Sequence, residues 1–165
     1  MRRIPADKWL GGAVACAAVA LAGSAAGSPP PPFAPLFGAW SGTGQVRLEN
    51  GRNEQIKCKA YYTDRQPGLR LALKCASSGS TIDLRAQMQA DGSRLHGEWE
   101  ERQFNAAGSI VGVASGNKLS MTLDGGGLKA AVSVTTTGTA QTVTIATDAG
   151  MVRGAQILLT RDAAP

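Results

Sequence analysis

The stretch Ile56–Ser77, IKCKAYYTDRQPGLRLALKCAS, constrains this chain more than any other. Two runs of alternating apolar and polar residues flank Gln66-Pro67-Gly68, a turn signal. Folding about the Gln66–Pro67 bond sets Cys58 opposite Cys75, Ala60 opposite Leu73 and Tyr62 opposite Leu71. One face then carries Ile56, Cys58, Ala60, Tyr62, Leu71, Leu73 and Cys75, and the other Lys57, Lys59, Tyr61, Arg70, Ala72 and Lys74. Side chains alternate with period two along a strand, so a slip of one residue would exchange the faces. Cysteine placement and apolar alternation select the same register.

The cysteines also speak to compartment. Arg2, Arg3 and Lys8 precede the apolar run Trp9–Gly23, and Ser24-Ala25-Ala26 has the small-x-small pattern of a cleavage site. Residues 1–26 therefore read as an export signal, cut near Ala26/Gly27. The run is short and rich in Ala and Gly for a spanning helix, so no integral membrane segment is expected after cleavage. Cys16 offers lipidation as a second route, but Ala13-Val14-Ala15 lacks the usual Leu and the chain stays apolar beyond it. Cleavage leaves Cys58 and Cys75 as a register-matched pair in an exported chain, which predicts a disulfide and a periplasmic or secreted protein. It also leaves 14 basic and 11 acidic residues from the original 17 and 12. That balance is too mild to indicate nucleic acid.

Residues 27–36 contain Pro29-Pro30-Pro31-Pro32 and read as an extended leader, so the folded domain is placed at 37–162. Within it no window shows a helical period. Strand one, Ala39–Leu48, turns Trp40, Val46 and Leu48 one way. Asn50-Gly51 reverses it, and a bulge near Gly51 would set Val46 opposite Ile56. Ser78-Gly79 joins Cys75 to Ile82. Asp91-Gly92 pairs Met88 with Leu95, which sets Glu98 opposite Arg85. Ser109–Ala114 fits either facing. Leu119, Met121 and Leu123 form a clear face, followed through Gly125-Gly126-Gly127 and Gly138-Thr139 by further alternating runs. The expectation is an all-β antiparallel up-and-down barrel or flattened clam of about 8–10 strands, with a two-sheet sandwich as the alternative. Closure would remove the edge strands. Leu36-Phe37-Gly38-Ala39-Trp40 and Leu95-His96-Gly97-Glu98-Trp99 share L-x-G-x-W, either as an old duplication or as a chance recurrence at strand starts.

Gly38-Ala39-Trp40 on the first strand of a small exported barrel resembles the calycins: lipocalins, fatty-acid-binding proteins and avidins. In lipocalins that Trp plugs the barrel floor beneath a late-strand Arg, so the resemblance implies a plug role for Trp40 with Arg153 or Arg161 over it. The chain lacks the T-D-Y turn motif, the long late helix, the helical lid of the fatty-acid-binding proteins and the further Trp residues of avidin-like biotin sites. The Pro-rich leader is similar to the N-terminal trunk of exported bacterial metalloprotease inhibitors. The mature chain also resembles exported barrel proteins of alphaproteobacteria that carry no assigned activity.

His96 is the only histidine, and its parity places it on the outside beside Glu98 and Glu100. No nucleophile motif accompanies it, the Glu98–Glu101 cluster reads as surface carboxylates, and no Cys/His spacing suits a metal. No catalytic residue, metal or cofactor is therefore expected, and the chain is read as a non-enzymatic monomer. Candidate ligand-lining residues are Trp40, Tyr62, Leu73, Leu84, Met88, Trp99 and Met121, since ten strands enclose more space than eight. A solidly packed interior is the competing expectation. Arg47, Lys57, Lys59, Arg70 and Lys74 form a candidate basic surface for an anionic envelope partner. A small apolar or lipid-like ligand is the leading partner. The alternatives are a protease inhibitor that inserts Ser28–Leu36 and a structural envelope factor.

Overall fold

A computed structural model describes residues 32–148 and 150–163. The export-signal, Cys16 and tetraproline readings lie outside the described residues, apart from Pro32. Ten strands follow in chain order: β1 (Gly38–Leu48), β2 (Asn53–Arg65), β3 (Gly68–Ala76), β4 (Thr81–Asp91), β5 (Arg94–Glu101), β6 (Ala106–Ser115), β7 (Lys118–Gly125), β8 (Leu128–Thr137), β9 (Ala140–Thr147) and β10 (Val152–Arg161). Each pairs antiparallel with its sequence neighbour, and β1 pairs with β10 to close the barrel. Closure gives every strand two partners, so no backbone edge is left open. Among the described residues a single 3-10 turn, Ala34–Leu36, precedes β1.

The β2–β3 hairpin has the expected register: Cys58 faces Cys75, Ala60 faces Leu73 and Tyr62 faces Leu71. The two cysteines form a disulfide with a Cα–Cα distance of 4.1 Å. Two neighbouring hairpins keep the expected faces but slide by two residues. Gly44, not Val46, stands opposite Ile56, because Glu49–Arg52 form the turn and no extra residue is inserted between β1 and β2. The irregularity in β1 falls instead at Arg47/Leu48, on the β10 side. In the β4–β5 hairpin Asp91 pairs with Arg94, so Gly92-Ser93 make the turn and Met88 faces Gly97. Arg85 therefore stands opposite Glu100, not Glu98. Strand β6 resolves its ambiguity with Ile110 buried and Val111 and Val113 exposed.

Phe33 and Leu36, assigned from the sequence to an extended leader, are buried in the core with the inward residues of the strands. The packed unit thus begins at Phe33 at the latest, and these two apolar side chains are the reason: the 3-10 turn folds them back under the barrel. Trp40 is fully buried above them, and its indole Nε1 donates to the Leu36 carbonyl at 2.7 Å. The Arg161 guanidinium lies over the Trp40 ring, 4.3 Å from its centroid, and donates to the carbonyls of Phe37 and Pro35. These contacts seal one end of the barrel. Arg153, the other candidate for this part, instead pairs with Glu49 at 2.7 Å at the opposite end.

Candidate functional site

Two hollows follow one another along the inward face, and the strand register shows why. Cys58, Cys75 and Ile82 make one cross-strand row; Ala60, Leu73 and Leu84 the next; Tyr62, Leu71, Ala86 and Trp99 the third. At the end opposite the sealed floor, the first row opens into an apolar cleft of about 480 Å³. Its lining includes Leu48, Ile56, Ile82, Phe104, Met151 and Val152. Phe104 and Met151 are 64% and 77% exposed there, an arrangement that leaves large apolar side chains in contact with water.

Behind that mouth, a smaller interior cavity of about 80 Å³ is lined by Tyr62, Leu73, Leu84, Met88, Trp99 and Met121 among others. Six of the seven side chains singled out from the sequence thus meet around one space. Trp40 does not: it is committed to the floor. The cavity has room for two or three water molecules at about 30 Å³ each, so the packed interior is closer to the observed state than a wide calyx. Bulky inward side chains account for this, since Trp, Tyr, Met and Leu fill the extra width that ten strands create.

Three buried polar side chains, Glu101, Thr136 and Gln141, were not singled out from the sequence as inward sites. The buried Tyr62 hydroxyl donates to Gln141 Oε1 at 2.9 Å, and Gln141 Nε2 donates to Thr136 Oγ1 at 3.3 Å. Burial pushes the Tyr62 phenol well above its ordinary pKa. Glu101, expected among surface carboxylates, is buried, and its two oxygens accept the Asp83 N–H at 2.8 Å and the Phe104 N–H at 2.6 Å. It fixes the β5–β6 turn that carries Phe104 to the mouth. A polar residue at an inward position near a strand end is the signal that marks Gln141 and Glu101.

Trp99 departs from this pattern of satisfied groups. It is 3% exposed, yet its indole N–H finds no acceptor among the described residues. Trp99 and Trp40 occupy the same place in the repeated L-x-G-x-W motif, but only Trp40 is paired. The preceding glycines differ as well: Gly38 has φ +120°, while Gly97 has no left-handed φ.

On the outside, Lys57, Lys59 and Lys74 border a groove of about 920 Å³ with Tyr61 and Arg85. Lys59 and Lys74 stand directly opposite each other, and Asp83 answers Lys74 at 3.7 Å and Arg85 at 3.1 Å. Arg47 borders a separate hollow with Gln45, Asn53 and Gln156, and Arg70 lines neither. The basic residues are exposed as expected but do not form one continuous site. His96 is exposed, 3.3 Å from Gln89 Oε1, and Glu98 and Glu100 are exposed near it. Among the described residues no group of three or more His, Cys, Asp or Glu is placed to hold a metal ion. No described helix is long and apolar enough to cross a membrane.

Solved structures share this fold, and two of them illustrate it. Rv2717c from M. tuberculosis superposes with a TM-score of 0.66 at 11% identity, over 79% of this chain and 95% of its own. The S-type phycobiliprotein lyase CPES from Guillardia theta superposes with a TM-score of 0.58 at 12% identity, over 81% of this chain and 92% of its own. The shared fold is a closed antiparallel β-barrel. At these identities the likeness is one of fold alone. No protein-family model and no curated protein sequence matches the chain.

Proposed function

We propose that the protein is a non-enzymatic binding barrel of the cell envelope that takes a small apolar or lipid-like molecule through its open end. The observation that carries this reading is the contrast between the two ends. One is sealed by Leu36, Trp40 and Arg161; the other opens on an apolar cleft of about 480 Å³. That size falls in the range of small-molecule sites, about 300–1,000 Å³. A neighbour of the same fold is a phycobiliprotein lyase, which supports the fold's use by proteins that handle other molecules. The Cys58–Cys75 disulfide and the N-terminal charge and hydropathy pattern support export. An inhibitor that inserts Ser28–Leu36 is less well supported, because Phe33 and Leu36 are already buried in the chain's own barrel.

The test is the neutral dye N-phenyl-1-naphthylamine, whose fluorescence rises in apolar surroundings, followed by displacement with dodecanol. The native protein should take up the dye and release it to dodecanol. Ile82→Glu, which places a charge in the mouth, should weaken uptake about tenfold or more. No uptake by the folded native protein, or equal uptake by the variant, would sink the reading.

A further inference from the structure

We infer that the interior cavity accepts the hydrogen-bond acceptor of its guest on Trp99 Nε1, so that the ligand class is an apolar molecule with a single deep-lying carbonyl or ether oxygen. This rests on the binding-barrel reading and adds the chemistry that selects the guest. The starting point is the unpaired indole N–H. Buried polar groups are nearly always bonded, and an exception calls for a reason. Trp99 lines the cavity and is almost fully buried, and no protein acceptor answers its N–H among the described residues.

The neighbours of the ring across the strands, and the one before it on its own face, carry no polar side chain. Its cross-strand partners are Ala86 on β4 and Gly108 on β6, and Gly97 precedes it on the same face of β5. Gly97 and Gly108 are held to glycine by the neighbouring strands, because a Cβ at either would stand 2.1 Å from the Gln87 or the Asp124 carbonyl oxygen. The remaining lining is almost wholly apolar. Tyr62, the other polar side chain there, has its hydrogen directed to Gln141. A water molecule held in such a place needs two to four polar partners, and the cavity offers one donor and one already engaged hydroxyl. An apolar guest with one acceptor matches that inventory: its oxygen meets the N–H, and its carbon skeleton meets Leu73, Leu84, Met88 and Met121. The two methionines are unbranched and repack readily around a guest somewhat larger than the empty space.

The experiment uses a pair of equal shape, cyclopentanone and methylenecyclopentane, titrated into the full-length, oxidised, ¹⁵N-labelled protein. Cyclopentanone should move the Trp99 indole N–H resonance downfield and bind about tenfold more tightly than the alkene. Trp99→Phe, which keeps an aromatic ring and removes the donor, should reduce the preference to within about twofold. Tyr62→Phe should leave it intact. If Trp99→Phe fails to fold, the resonance in the native protein decides, assigned through contacts to Ala86: the ketone must move it and the alkene must not. Equal binding of the two probes, or a preference that survives Trp99→Phe, overturns the donor assignment and leaves the binding barrel standing. Failure of both probes to bind, together with failure of dye uptake, overturns both. Failure of the probes alone, with dye uptake intact, overturns the interior site and confines the guest to the mouth.

Discussion

Replacing Gln141 by Leu tests whether the inner hydrogen-bond chain near the floor holds the barrel together or merely fills it. Tyr62 and Gln141 are both buried, and their bond spans β2 and β9 across the interior at 2.9 Å. Leucine roughly preserves the volume and removes both the acceptor for Tyr62 and the donor to Thr136. The phenol is then left buried without a partner, which costs about 1–3 kcal/mol. Tyr62→Phe strands the Gln141 Oε1 in the same way and should cost a similar amount. The double variant leaves neither group stranded, so its loss should fall short of the sum by about 1–2 kcal/mol. Against a total stability of about 5–15 kcal/mol, a coupling of this size is measurable. Urea unfolding of the four oxidised proteins, at unchanged dependence on denaturant, gives the cycle. Losses that add to within about 0.3 kcal/mol would refute the claim that the pair acts as a unit.

The same phenol predicts an alkaline effect. Its folded pKa is raised by burial, so both states keep the proton below pH 10 and its stabilisation is intact there. As pH rises beyond 10, the unfolded chain loses the proton first. Native stability should then fall by up to about 1.4 kcal/mol per pH unit more than that of Tyr62→Phe; parallel alkaline limbs would count against it. Joint replacement of Cys58 and Cys75 by Ala opens a loop with a sequence separation of 17. It should lower stability by about 3 kcal/mol in the chain-entropy model, and a loss below about 1 kcal/mol in chemical denaturation would contradict that. Glu101→Ala frees the Phe104 and Asp83 N–H groups and should cost about 2 kcal/mol. It should also make the Arg102–Gln103 bond an early site of limited tryptic cleavage; an unchanged digestion pattern would show that the turn does not depend on Glu101.

The sequence made faces legible and left pairings less so. Parity assigns each strand residue inward or outward, so the disulfide hairpin, Tyr62, Met88 and Trp99 could be placed. A slide of two residues preserves parity, and only turn geometry opposes it. The β1–β2 and β4–β5 hairpins slid in just that way, whereas Cys58 and Cys75 fixed the register of β2 and β3. Strand β6 was ambiguous because Gly108 and Gly112 occupy inward positions, where they give no apolar signal. The tetraproline run concealed Phe33 and Leu36, whose burial depends on a surface that exists only once the barrel has closed. Glu101 and Gln141 were hidden for a related reason: an inward polar residue makes sense only beside its partner. The calycin resemblance pointed to the Trp40 plug, and it left open which arginine would cover the ring. The orphan N–H of Trp99 could not be foreseen, since it is defined by what fails to reach it.

The Arg161 hook has a geometric consequence. It ties the end of β10 to the segment that precedes β1, and the Asp162 N–H and carboxylate continue the attachment to Ala39 and Ser41. Both ends of the described chain therefore leave from the same pole, away from Phe104 and Met151. Anything attached through either end, whether a lipid, a neighbouring domain or an affinity tag, hangs from the closed side. A molecule tethered directly at these described ends would present its opening outward like a cup standing on its base, and a sensor surface coupled there would leave the entrance free for whatever is offered to it.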